Sequence, residues 1–199
     1  MNPTKELEKK YDNISNILWQ SWKHRNLKYN DRLHEFYQLL KPNSKLLDFG
    51  CGFGRDVHFF NELGIESIGI DISHEMVNLG LKKYGSLNLV CGDIFKASEI
   101  FQSKFDAIWC RGVLFHFNID LVKKIYKEIE YLTFKGAMVY IQINKDTKSK
   151  RYKNISDSSE KAMYYYHSHC EINEIFNQSF ELKKDLSNQN YLCLIYERK

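Results

Sequence analysis

Eleven residues constrain this chain more than any others: LLDFGCGFGRD, residues 46–56. The apolar run KLLDF is too short for a helix and is bounded by turn residues, so it reads as a buried parallel strand. Gly50, Gly52 and Gly54 follow at alternate positions, and VHFFNEL, residues 57–63, then has the apolar spacing of a helix. A strand, a glycine turn and a helix bring backbone N–H groups close to a ligand, because glycine has no Cβ to hold it off.

The spacing downstream gives the loop its meaning. IESIGID, residues 65–71, is a second apolar run that ends in Asp71. An acid at the tip of a second strand can accept hydrogen bonds from a ribose hydroxyl pair. The glycine pattern is G-x-G-x-G, not the G-x-G-x-x-G of a dinucleotide fingerprint, and Asp48 precedes it on the strand. A third run, LNLVCGDIF, places Asp93 just beyond a third strand end.

LLDFGCGFGRD, IGIDIS, CGDIF and FDAIWCRGVLFHF together resemble the successive motifs of class I S-adenosylmethionine-dependent methyltransferases. The resemblance implies S-adenosylmethionine as cofactor. It assigns the methionine part to Asp48, Gly50, Gly52 and Gly54 and the ribose to Asp71, with Cys51, Arg55 and Ile72 also counted as cofactor-binding. The adenine amino group falls to Asp93, with Ile94 and Met76 as apolar contacts to the adenosine and Arg111 completing the cofactor set. The implied fold is a doubly wound, Rossmann-like α/β sandwich: seven mostly parallel strands, the last antiparallel, with helices on both faces.

Composition narrows the setting. With 199 residues, 43% of them hydrophobic, one domain with a sizeable core is expected. The net charge of +4 is mild and scattered, which disfavours a nucleic-acid surface. The basic run KDTKSKRYK, residues 145–153, is the exception and reads as part of a solvated, mobile loop. No segment approaches the roughly 18 apolar residues of a membrane helix. The charged first residues contain no apolar core of a secretory signal. Cys51, Cys91, Cys110, Cys170 and Cys193 form no C-x-x-C pair, so neither zinc nor a disulfide framework is expected. A cytoplasmic protein fits these features.

The chain divides into a helical N-terminal lid (1–41), a cofactor-binding core (42–145), and a loop, helix and hairpin (146–199). Apolar spacing predicts two helices before Pro42, joined by an aromatic and basic linker that holds Trp19 and Trp22. Those tryptophans either pack the lid onto the sheet or face substrate. Ser73 to Gly85 reads as a capped helix, and residues 120–132 as an amphipathic one.

Methyl transfer is an in-line displacement, helped by holding acceptor and methyl carbon together. A protonated acceptor also needs a base, and His116, just past the fourth strand, is the candidate. The alternative is that His116 only packs or hydrogen-bonds the helix after it. Tyr11, Trp19, Trp22, Tyr165 and His167 are the candidates for acceptor binding, with Tyr164, Tyr166 and His169 nearby. A metal site is not expected, since H-x-H alone supplies too few ligands. Arg111 and the basic loop suggest an acceptor that carries a carboxylate or phosphate.

Cys110-Arg111-Gly112-Val113 stands where enzymes acting on DNA adenine or protein glutamine carry an Asn-Pro-Pro-Tyr-type motif. What remains resembles stand-alone enzymes that methylate an O or N atom of a small molecule. A non-catalytic S-adenosylmethionine-binding regulatory module is the alternative. An NAD-dependent oxidoreductase would need a different glycine spacing.

Overall fold

The structure is a computed structural model and describes residues 3–22, 31–145, 150–155 and 159–199. Its strands are β1 (Lys45–Phe49), β2 (Glu66–Asp71), β3 (Asn88–Cys91), β4 (Phe105–Arg111), β5 (Thr133–Asn144), β6 (Lys150–Asn154), β7 (Lys161–Tyr165), β8 (Phe180–Asp185) and β9 (Tyr191–Arg198). Its helices are α1 (Pro3–Trp22), α2 (Asp31–Tyr37), α3 (Arg55–Glu62), α4 (His74–Tyr84), α5 (Ala97–Ile100), α6 (Ile119–Leu132) and α7 (His169–Phe176).

Seven strands form one sheet in the order β3-β2-β1-β4-β5-β9-β8. β1 to β5 pair in parallel, and β9 runs antiparallel between β5 and β8. This is the expected seven-stranded sandwich with its last strand reversed. The central strands are apolar on both sides because helices cover both faces. Along β4, Ile108 and Cys110 enter one core, whereas Ala107 and Trp109 enter the other. Helices α1, α6 and α7 supply the first core, and α2 and α3 the second.

The second core is built on aromatic contact. Trp109 and Tyr140, register partners on β4 and β5, stack with centroids 3.9 Å apart and planes inclined 11°. Phe36 of α2 packs on both rings, at 5.2 and 5.9 Å. Such side chains bury large areas, and their polar atoms need partners. Trp109 Nε1 donates to Asp56 Oδ2 at 2.7 Å, and the Tyr140 hydroxyl donates to Gln142 Oε1 at 2.9 Å. The sheet is therefore dry below and polar at its rim.

Local signals set the helix ends. Ser73 caps α4 by accepting from Met76 N, and α4 stops at Gly85 with φ 73°. Asn118 caps α6, whose Val122, Ile125, Tyr126, Ile129 and Leu132 are buried at helical spacing. Ser168 and Glu171 form a reciprocal capping box at the start of α7.

Two expectations change. Helix α1 continues through Trp22, so Trp19 and Trp22 lie on the helix and not in a linker. The segment read as a polar loop contains β6 and β7, which pair antiparallel as a separate ribbon. Residues 23–30 of the expected linker, and 146–149 of the basic run, fall outside the described residues.

Candidate active site

The carboxyl ends of β1, β2 and β4 open into one cavity of about 560 Å³, walled on one side by α1 and on another by the β6–β7 ribbon. Strand β1 delivers Asp48, and the glycine loop turns immediately after it. Gly50 has φ 80°, a left-handed conformation that L side chains rarely adopt. A Cβ there would lie 2.2 Å from Val113 Cγ2. Gly50 N and Cys51 N both donate to Ile70 O, at 2.8 and 3.0 Å, which ties the loop to β2.

Asp71 ends β2 with both oxygens already oriented. Gly52 N donates to Oδ2 at 2.7 Å, and Ser73 N donates to Oδ1 at 2.9 Å. Burial raises its pKa, while those backbone N–H groups work in the opposite direction. A carboxylate held this way keeps further lone pairs for two hydroxyl donors. Asp93 follows β3 and uses Oδ1 to cap the next turn, accepting from Phe95 N at 3.0 Å. Asp93 and Ile94 line the cavity, as do Ile72 and Met76.

Burial, then Asp56, holds Asp48 well above the ordinary carboxylate range. The Cys51 thiol is raised by burial and then by Asp71 and Asp48. Asp56 anchors the other half of the cavity. It accepts from Trp109 and, through Oδ1, from Arg111 Nη2 at 2.6 Å.

Helix α1 closes the cavity with two adjacent residues. The Tyr11 hydroxyl lies 2.8 Å from His116 Nε2, with the rings edge to face. Asp12 reaches the opposite wall, where its Oδ1 accepts from Ser73 Oγ at 2.6 Å and Glu75 N at 3.0 Å. A carboxylate at a helix N-terminus is favourable on both hydrogen-bonding and dipole grounds. Burial lowers the His116 pKa to about 3, with Lys10 adding to the effect, so the imidazole is neutral near pH 7. Burial raises the Tyr11 phenol well above its ordinary value. His116 Nδ1 is buried and has no hydrogen-bond partner among the described residues.

The remaining candidates separate. Tyr11, Trp22, Arg55, Arg111 and His116 line the cavity. Trp19 does not; it packs edge to face on Phe53 and Tyr84. Tyr165 lies outside the lining, whereas its neighbour Tyr164 packs 5.3 Å from His116. His167 Nε2 bonds Phe117 O at 2.9 Å, and His169 sits 3.6 Å from Asp185, so the two histidines have different partners. Gly54 starts α3 away from the lining.

Gln142, Asn144, Tyr191 and Arg32 also line the cavity and were not expected. A signal for the first two exists in the sequence: they are polar residues at alternate positions of the otherwise apolar run AMVYIQIN.

The fold and this cleft define a class I methyltransferase architecture. Residues 47–141 match the methyltransferase domain family. The matched segment is just under half of this chain and holds β2 to β4, the glycine loop and most of β1 and β5. A phosphoethanolamine N-methyltransferase of Plasmodium falciparum is 25% identical over 170 residues, covering 80% of this chain and 63% of the relative. The chain thus spans under two thirds of that protein's length. One from Arabidopsis thaliana is 29% identical over 96 residues, 44% of this chain and 19% of the relative.

Among solved structures, magnesium protoporphyrin IX methyltransferase from Synechocystis, with bound S-adenosylmethionine, superposes with a TM-score of 0.76. It is 14% identical, and the match covers 100% of this chain and 98% of that one. An amino pentose methyltransferase from Micromonospora echinaspora gives 0.69 at 12% identity, covering 92% of this chain and 96% of its own. At such identities the likeness speaks for the fold.

The residues present fit S-adenosylmethionine, the molecule that the Synechocystis structure holds. The oriented Asp71 carboxylate, the Asp93 cap and a glycine turn with no space for a Cβ would suit a nucleoside with an amino-acid tail. Among the described residues no helix is long and apolar enough to cross a membrane.

Proposed function

We propose that the chain transfers a methyl group to the nitrogen of a small amine. The observation that carries this reading is the Tyr11–His116 contact, which closes the cavity beside both the cofactor cradle and a polar second half. The N-methyltransferase relatives support the choice of nitrogen. When bound, S-adenosylmethionine supplies an electrophilic methyl group on a sulfonium.

The chain's own residues then have four tasks. Asp71 and Asp93 hold the nucleoside, with Asp48 and the glycine loop beside its amino-acid part. Tyr11 and α1 exclude water. The Tyr11, Phe115 and Tyr164 rings around His116 suit a cationic centre by cation–π attraction. His116 is neutral and buried, so its role is to hold a hydrogen bond at fixed geometry. With Tyr11 donating to Nε2, the imidazole proton sits on Nδ1.

The experiment is a radiolabel-transfer assay with S-adenosylmethionine over a panel of small primary amines and matched alcohols. Label transfer to amines, lost in Tyr11→Phe while S-adenosylhomocysteine still binds, is the expected result. Transfer to alcohols alone would replace nitrogen by oxygen, and cofactor binding without any transfer would favour a regulatory module.

A further inference from the structure

We infer that the rim of β4 and β5 is an oxyanion subsite for the acceptor, built on Arg111 and Gln142. It rests on the methyltransferase reading and adds the chemical class of the acceptor's second group: a phosphate or carboxylate beside the nitrogen.

The geometry starts with the ladder. Trp109 pairs with Tyr140, and Arg111 pairs with Gln142, one step nearer the strand ends. Side chains two apart on a strand share a face. Arg111 and Gln142 therefore stand side by side on top of the stacked Trp109–Tyr140 rings. Asn144 follows Gln142 by two and pairs with Tyr191 of β9. Arg32, one helical turn before Phe36 on α2, lies over the Tyr191 ring at 5.3 Å. The cavity lining includes all five of these rim residues, Arg111, Gln142, Asn144, Tyr191 and Arg32.

Donors outnumber acceptors at this rim. A guanidinium has five N–H donors, and Arg111 uses one among the described residues, from Nη2 to Asp56 Oδ1. Its side chain is only 20% exposed, so the rest of the fork faces the cavity with little water. The Tyr140 hydroxyl occupies the Gln142 amide oxygen, which turns that group's two N–H donors outward. A planar fork beside an amide is suited to grip two oxygens of one anion.

The two nearby acids do not cancel this. Asp56 is held on Arg111 and Trp109, so its oxygens are already engaged. Asp48 keeps its proton to higher pH than an ordinary carboxylate, because burial and Asp56 disfavour its charge. The basic run at 145–153 is not needed, since the donors come from the strands themselves.

The test uses the full chain saturated with S-adenosylhomocysteine, after its binding has been measured. Inorganic phosphate and acetate are then titrated separately by calorimetry. Phosphate binding alone would assign a phosphorylated acceptor, and acetate binding alone a carboxylated one; either supports the subsite. Gln142→Glu should weaken that anion at least tenfold while S-adenosylhomocysteine affinity stays within twofold. Arg111→Gln, which keeps a donor for Asp56, should weaken it similarly. The subsite is overturned if neither anion binds the parent complex, or if both variants bind it as the parent does. It is also overturned if the anion and S-adenosylhomocysteine compete, since the cofactor's own carboxylate would then occupy the rim. Failure of S-adenosylhomocysteine to bind at all would count against the methyltransferase reading as well.

Discussion

Asp12 of α1 accepts a hydrogen bond from Ser73, the residue that caps α4 and whose backbone N–H holds Asp71. Helix α1 and Asp71 are therefore linked through one serine, while the neighbouring Tyr11 grips His116 on the other wall. Replacing Asp12 by Ala removes a helix-capping contact worth about 1 kcal/mol. Amides of α1 should exchange severalfold faster in Asp12→Ala and in Tyr11→Phe. If the two contacts form one clasp, the double variant should differ from the sum of the singles. Unchanged protection in both singles would remove the clasp.

Asp71→Ala should weaken S-adenosylhomocysteine binding by about 1–3 kcal/mol, roughly 5- to 150-fold, because Gly52 N and Ser73 N lose their acceptor along with the ribose. Calorimetry checks the affinity, and circular dichroism checks that the fold persists. An affinity equal to the parent's would take the ribose role away from Asp71.

Gly50→Ala meets two obstacles, a φ of 80° and Val113 Cγ2 at 2.2 Å. The backbone part should cost about 1–2 kcal/mol, with the clash added to it. Val113→Ala should recover only the clash, so urea unfolding of the double variant should fall between the parent and Gly50→Ala. Full recovery would mean that the backbone carries no strain.

The His116 pKa in the fold lies near 3, below its ordinary 6.5. Above pH 6.5 the group is neutral in both folded and unfolded chains and has no effect. As pH falls from 6.5 toward 3, the unfolded chain takes up the proton first, and stability is lost. Between pH 7 and 5 this amounts to about 2 kcal/mol. Asp48 and Asp71, raised in the fold, bind protons in the opposite sense. The comparison is therefore with His116→Gln, whose denaturation midpoint should fall less between pH 7 and 5. Parallel falls in the two proteins would contradict a neutral buried imidazole.

The position of the residues assigned to the cofactor was legible because each part is local: an acid, a glycine turn or a cap sits within a few residues of the strand end that positions it. Asp71 and Asp93 could be read that way. In the other half Tyr11, Trp22, Arg111 and His116 could be named as candidates, but not their pairings, because the contacts are distant in sequence. Arg111 meets Asp56 across 55 residues and Tyr11 meets His116 across 105. The β6–β7 ribbon escaped notice because KRYKN and KAMYY show no clean apolar alternation. For Trp19 the sequence left packing and substrate contact open, and the ring packs on Phe53 and Tyr84.

The β6–β7 ribbon shares no ladder with the main sheet. Its Tyr164 nevertheless forms part of the cavity wall beside His116. The ribbon pairs with none of the strands that carry Asp48, Asp71 and Arg111. Under the proposed function, cofactor grip and acceptor choice are thus separable traits in this chain. A library confined to the ribbon is the natural starting material for directing the same methyl donor to a new acceptor.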